Sequence, residues 1–294
     1  ALGFARPVTV ISFVALLVQI PLNFIFMYGW GPIPHLGSAG CGFATAILQW
    51  LMFITLLTYV LKAKRYQATQ PLRVFEKMNP ILIKRILKLG LPIGLAIFFE
   101  VSIFSTGAII LSTLGEVTIA AHQIAISLTS QLFMIPMSLA LALTIRVGTY
   151  YGEKNWVAMR KVQKLGLFTA TGFAFITMLL MWLLRADIVA VYTSNPDVTQ
   201  IAIYLILFAI AYQLMDAWQV SAAGCLRGMQ DTKGPMWITM LAYWIIAFPV
   251  GIYLARYTEM GAAGVWVGLI VGLSIACVLL LTRLHMNNQR LAQQ

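Results

Sequence analysis

The sequence predicts an all-α polytopic membrane protein with eight transmembrane helices. Hydrophobic residues fill 61% of its 294 positions and charged residues only 10%, where a soluble domain carries about 25% charge. The apolar residues gather into eight runs of about 20, the length that crosses a hydrocarbon core. Of the 20 Lys and Arg, 18 fall on alternate connections between these runs, the asymmetry that orients membrane proteins.

The runs cover about 8–28, 40–61, 89–112, 118–145, 165–184, 199–224, 235–255 and 261–282. Apolar stretches this long must be helical, because in lipid only helices and closed barrels satisfy the backbone. Barrel strands would alternate over about 10 residues, and no such alternation occurs. The side that receives 18 basic residues is expected to be cytoplasmic. Only Arg185 and Arg256 fall opposite. Eight crossings then leave both ends of the chain on the cytoplasmic side.

Net charge is +11, which in a soluble protein would suggest nucleic acid. Here the basic residues sit in short connections and set orientation, so no nucleic-acid partner is expected. No signal-peptide pattern precedes the first run. Cys41, Cys225 and Cys277 are scattered without metal-ligand spacing and are read as reduced packing residues. There is no Walker loop, zinc spacing or catalytic triad. No enzyme activity and no cofactor are therefore expected. The segment 62–88 is the one long charged connection. The stretch 152–164 mixes Trp156, Val157 and Met159 with basic residues, which predicts a short helix lying at the cytoplasmic interface.

An internal repeat links the first run to the seventh. Pro7 and Pro21 recur as Pro235 and Pro249, both 228 positions later. GSAG at 37–40 recurs as GAAG at 261–264, at an offset of 224. Four spans precede the second copy after the linker, and none precedes the first. The repeat logic predicts a twelve-helix protein of two six-helix halves lacking its first four helices, about 150 residues. Both halves would begin inside, so their axis lies along the membrane normal, an arrangement found in secondary transporters.

Two of the nine carboxylates, Glu100 and Asp216, lie inside apolar runs. A charge at mid-bilayer depth costs roughly 3 kcal/mol on insertion scales, so such acids mark function. Glu100 follows Lys88 by 12 residues, and Asp216 precedes Arg227 by 11. At about 1.5 Å per residue both lie roughly 17 Å from the cytoplasmic boundary. Tyr212 is one turn from Asp216 on the same face, Gln213 and Gln219 are three residues away, and Gln123 is a further polar group inside a span. Two acids at one depth could hold a proton or, with no fixed cation nearby, a sodium ion. Gln19 and Asn23 share a face of the first span, while their repeat counterparts are Ala247 and Gly251. This suggests a separate polar site in the first half. Pro21, Pro136 and Pro249 are candidate bending points. His35 and His285 fall in connections and His122 near a span end.

The stretches LGLPIG (89–94) leading to Glu100, AAHQIA (120–125), RVGTYYGEKNWVAMR (146–160) and CLRGMQDTKGP (225–235) resemble the multidrug and toxic compound extrusion (MATE) family, NorM type. The resemblance runs from end to end. It implies twelve helices in two pseudo-twofold lobes, of which this chain covers helices five to twelve. Residues 1–61 would close the N-terminal lobe, 62–88 would link the lobes, and 89–294 would form the C-terminal lobe.

The resemblance implies secondary active efflux of cationic lipophilic drugs and dyes in exchange for Na+ or H+. The implied setting is the bacterial cytoplasmic (inner) membrane, with the full-length protein a monomer in the lipid bilayer. Glu100, Asp216, Tyr212 and Gln123 would form the cation site, and Asn23 would pair with an acid on an absent helix. The alternatives are a lipid-linked oligosaccharide flippase of related fold, which would want basic residues deep in its spans, or a non-transporting membrane fragment.

Overall fold

The computed structural model describes residues 6–31, 34–63 and 79–293. These residues form eight membrane-length helices: α1 (Arg6–Tyr28), α2 (Ser38–Lys62), α3 (Pro80–Ser112), α4 (Glu116–Gly152), α5 (Trp156–Tyr192), α6 (Pro196–Gly228), α7 (Lys233–Tyr257) and α8 (Ala262–Ala292). Each contains one predicted apolar run, apart from Gly261 just before α8. Large apolar side chains point outward, Phe168 at 78% and Val191 at 85% exposure. Surfaces of this kind belong in lipid rather than water.

Local chemistry sets where the helices begin. α3 and α6 both open on Asn-Pro. Asn79 accepts from the Ile81 amide at 3.0 Å, and Asn195 from the Asp197 amide at 2.9 Å. Each asparagine satisfies an orphan amide of the first turn, while the proline supplies a helical φ and needs no partner. The Asn79 cap starts α3 nine residues before its apolar run, so 80–88 is helix rather than connection. Residues 64–78, the rest of the expected linker, lie outside the described residues.

The expected interfacial helix at 152–164 is corrected. Asn155 caps the Ala158 amide at 3.1 Å, and α5 then runs unbroken from Trp156 to Tyr192. Nothing between the basic turn and the apolar run stops the helix. α4 and α8 likewise outrun their apolar stretches, which takes His285 out of its expected connection and into α8.

The chain divides into two compact units, Ala1–Met78 and Asn79–Gln294. In the first, α1 packs on α2. In the second, α6 is central and packs against α4, α5 and α8, while α3 packs on α4 and α7. The core around α6 includes Leu205, Ile206, Ala209, Trp266 and Leu273.

The sequence repeat is a structural repeat. Gly37 and Gly261 precede α2 and α8 with nearly the same backbone, φ 56°, ψ −135° and φ 51°, ψ −122°. This is a left-handed region that a Cβ disfavours. Three residues on, a Cβ on Gly40 would lie 2.8 Å from the Met27 amide nitrogen, and one on Gly264 2.6 Å from that of Ala255. Met27 and Ala255 are 228 apart, the offset of the prolines. Both hairpins therefore close by the same contact, a helix start pressed onto the backbone of the helix before it.

The copies differ at their second proline. α1 stays α-helical through Pro21, and α4 through Pro136. α7 instead widens into a π-helical stretch, Leu241–Ala247, just before Pro249. A proline cannot donate to the carbonyl four residues back and its ring crowds that group. A wider turn relieves the conflict.

Gly264→Val should cost about 1–3 kcal/mol through overpacking and lower the melting temperature of the detergent-purified protein. Gly172→Ala should leave melting unchanged or slightly raised, because a Cβ at Gly172 meets nothing within 4 Å. Equal melting of the two variants would contradict the close-contact reading.

Candidate functional site

A partly open cavity of about 690 Å³ lies in the second unit, lined by α3, α4, α6, the short connection after α6, and the start of α7. This is the size range of small-molecule sites, about 300–1,000 Å³. Its walls are mostly apolar, with Phe104, Phe133, Met134 and Met137 among them. Glu100 reaches it from α3, Gln123 from α4, and Tyr212 and Asp216 from α6. The four residues singled out in the second half therefore share one chamber. Asp216 and Tyr212 are each 4% exposed, whereas Gln123 is exposed.

The α6 face is one turn-by-turn row. Tyr212, Asp216, Gln219, Ala223 and Arg227 all line the cavity, at the three- and four-residue spacing of a helix face. Gln213 points elsewhere and is buried. Behind the row, Tyr212 stacks on Trp266 of α8 at 6.0 Å between ring centres. The row is held from the other side by α4. Thr144 Oγ1 donates to the Gly224 carbonyl at 2.9 Å across the two helices. Side chain-to-backbone bonds of this kind join helices in lipid.

The two carboxylates sit close enough for each to feel the other's charge. The Gln219 amide lies beside Glu100, and the Arg227 guanidinium is within electrostatic reach of it. Arg227 is the main revision to the expected site. The sequence places it in the connection after the sixth run and predicts no fixed cation near the acids. α6 continues through Gly228, so Arg227 stays on the helix and faces the chamber. Its Nε is buried without a hydrogen-bond partner.

Two further groups escaped the sequence reading. His122 of α4 is 1% exposed, lines the cavity, sits edge-on to Trp266 at 5.8 Å and has an unpartnered Nδ1. Tyr243, in the π-helical stretch of α7, is 1% exposed with an unpartnered hydroxyl in electrostatic reach of both acids. The three- and four-residue spacing around Asp216 reaches Gln219 and, two steps further, Arg227. The sequence reading does not single out Tyr243, although it stands one turn on from Thr239, which lines the cavity.

Gln19 and Asn23 lie on α1, in the other compact unit, and are not among the cavity's residues. Asn23 Oδ1 is buried without a partner. In the second copy the equivalent positions pack tightly. A Cβ on Gly268 of α8 would lie 2.7 Å from the Ala247 carbonyl oxygen and 2.5 Å from the Gly251 Cα. Among the described residues no three His, Cys, Asp or Glu side chains cluster as a metal site. The oxygens of Glu100, Asp216, Tyr212 and Gln123 are the groups that could hold a hard monovalent ion.

A polar cluster closes the bundle beside the chamber. Asp231, between α6 and α7, takes two hydrogen bonds from Arg283 of α8, at 2.6 and 3.0 Å, and one from Asn287 at 2.9 Å. It also caps the Gly234 amide at 3.3 Å. Asn288 donates to Gln163 at 2.7 Å and accepts from Arg160 at 2.8 Å. Arg283 is thus a residue of α8 that pins the turn after Arg227, not a free cation in a terminal connection.

Fold and chamber together define a polytopic helical membrane protein with a ligand-sized, acid-lined cavity. The MatE family model matches residues 92–253, the helices that surround the chamber, and the chain belongs to this family. It is 74% identical over all its residues to a probable multidrug resistance protein NorM of Acinetobacter baylyi, and spans 66% of that protein. A MATE solved in complex with MaD5 superposes with a TM-score of 0.85 at 19% identity, over 99% of this chain and 64% of that one. The eukaryotic MATE transporter AtDTX14 superposes with a TM-score of 0.84 at 20% identity, over 97% and 65%. The chain thus spans just under two thirds of these relatives.

Burial raises the Asp231 carboxyl, but the bonds and charge of Arg283, with Asn287 and the Gly234 amide, outweigh it and hold the group below its ordinary value. A carboxyl depressed in the folded state adds stability above the unfolded pKa, near 3.9, and loses it as pH falls through the folded value. Arg283 is 43% exposed at its side chain, so solvent limits the ion pair to about 1 kcal/mol. Asp231→Asn should therefore melt lower than the parent at pH 7, and the gap should shrink as the pH drops below 4. A gap independent of pH would contradict the ionised pairing.

Proposed function

We propose that the protein is a secondary multidrug antiporter that expels cationic lipophilic drugs and dyes in exchange for Na+ or H+. The observation that carries this is the meeting of Glu100 and Asp216 in one drug-sized, largely apolar chamber. Apolar and aromatic walls suit a lipophilic ligand, and two carboxylates suit its positive charge or a small cation in its place. Tyr212 and Gln123 add oxygens to the same site. The similarity to a probable multidrug resistance protein supports the substrate class.

In this reading the chain supplies the second lobe, from α3 onward, and the last two helices of the first. Its eight spans over 66% of the relative's length are in proportion to twelve for the whole. Asn23 and Gln19 belong to a separate polar site of the first lobe. The protein sits in the bacterial inner membrane as a monomer, with both ends of this chain cytoplasmic. The crowding of 18 of 20 basic residues on one side supports this orientation. Cation binding at Glu100 and Asp216 favours one arrangement of the lobes and drug binding the other. Each ligand drives the exchange by its differential affinity for the two.

Arg227 gives the flippase alternative one observation, a cation on the chamber wall. It faces two acids there, however, and with both ionised the side-chain charges sum to minus one, which repels a pyrophosphate. The exporter reading accommodates that sum.

In the full-length protein, Glu100→Gln and Asp216→Asn should each reduce ion-driven ethidium efflux at least about tenfold, on the scale of losing one charged partner, roughly 1.4 kcal/mol or more. Efflux is followed with sodium and pH varied independently, and wild-type rates in either variant would overturn the assignment. The 294-residue chain alone should give no efflux, since alternating access needs both lobes.

A further inference from the structure

We infer that Arg227 sets the charge number of the drugs this chamber accepts, tuning it to ligands with a single positive charge. The inference rests on the chamber being the cation and drug site.

Two carboxylates and one guanidinium line the chamber: Glu100, Asp216 and Arg227. With both carboxylates ionised, they sum to minus one. Glu100 stands between the others electrically, within reach of Asp216 and of Arg227. Arg227 is not consumed by a structural ion pair. Among the described residues the one salt bridge is Asp231 with Arg283. Arg227 reaches neither of those groups as a bonded partner, and its Nε is buried and unpartnered. Its helix is fixed, because the turn after Gly228 is pinned by Asp231 to α8. The guanidinium therefore faces the chamber as a tethered cation.

A desolvated chamber favours the ligand that brings its net charge to zero. One monovalent ion or one monocationic drug does this, and a dication overshoots. A chamber without the arginine would sum to minus two and favour a dication. Coulomb's law sets the scale. A second ligand charge about 10 Å from Arg227, at an effective dielectric constant of about 20, loses about tenfold in affinity.

The test measures binding of ethidium and propidium to the purified full-length protein. The two dyes share one ring system, and propidium carries an additional quaternary ammonium. Arg227→Gln should shift the ratio of their dissociation constants about tenfold toward propidium, and Arg227→Lys should hold the wild-type ratio. Gln219→Glu adds the missing negative charge from a neighbouring position and should shift the ratio in the same direction, so it decides the matter if Arg227→Gln does not fold. A wild-type ratio in both Arg227→Gln and Gln219→Glu overturns the inference. Glu100→Gln and Asp216→Asn are measured alongside. If they weaken ethidium binding while the ratio stays fixed, the Arg227 inference alone fails. If they leave ethidium binding unchanged, the reading of the chamber as the cation site fails with it.

Discussion

A carboxylate left in hydrocarbon costs roughly 3 kcal/mol or more, and this chain places two of them far from either end of their helices. Such charge persists only where protein encloses it. α3 and α6 turn Glu100 and Asp216 toward each other, α4 and the start of α7 close the space between, and α6 takes the centre of the bundle with α4, α5 and α8 around it. The outer surface is left to apolar side chains such as Phe168 and Val191. Of the buried polar atoms without a partner among the described residues, His122 Nδ1, Arg227 Nε, Gln219 Oε1 and the Tyr243 hydroxyl lie at or beside this chamber, while Arg160 Nε and Asn288 Oδ1 lie away from it and Asn23 Oδ1 belongs to the other unit. Buried polar atoms are ordinarily paired, so those beside the two acids are groups a ligand could engage.

The repeated hairpin shows how the scaffold is built apart from its chemistry. α1 with α2, and α7 with α8, close by the same left-handed glycine and the same pressed backbone contact. What differs lies between the prolines. The second copy has Ala247 and Gly251 packed against Gly268, together with a π-helical stretch that brings Tyr243 toward the acids. The first copy has Gln19 and Asn23 in a continuous α-helix. One architecture thus carries two different polar arrangements.

The eight spans were legible because the bilayer demands long apolar runs, and apart from Gly261 all eight runs lie inside the observed helices. Glu100 and Asp216 were legible because their cost makes them conspicuous, and Tyr212 because it stands one turn from Asp216. The misreadings share a cause. Helix ends depend on capping and continuity rather than hydropathy. Asn79 carries α3 back to Pro80, and Asn155 joins a basic turn to α5. α6 runs on to Gly228 and turns Arg227 from a connection residue into a wall residue.

The account turns on drug and coupling cation being exclusive occupants of the arrangement built around Glu100 and Asp216. The direct measurement is cation release on ethidium binding, with purified full-length protein in weakly buffered, sodium-controlled solution. The account predicts that each dye bound expels a sodium ion or a proton, and that the Glu100→Gln, Asp216→Asn double variant expels neither. Dye binding at wild-type affinity with no cation released would contradict it.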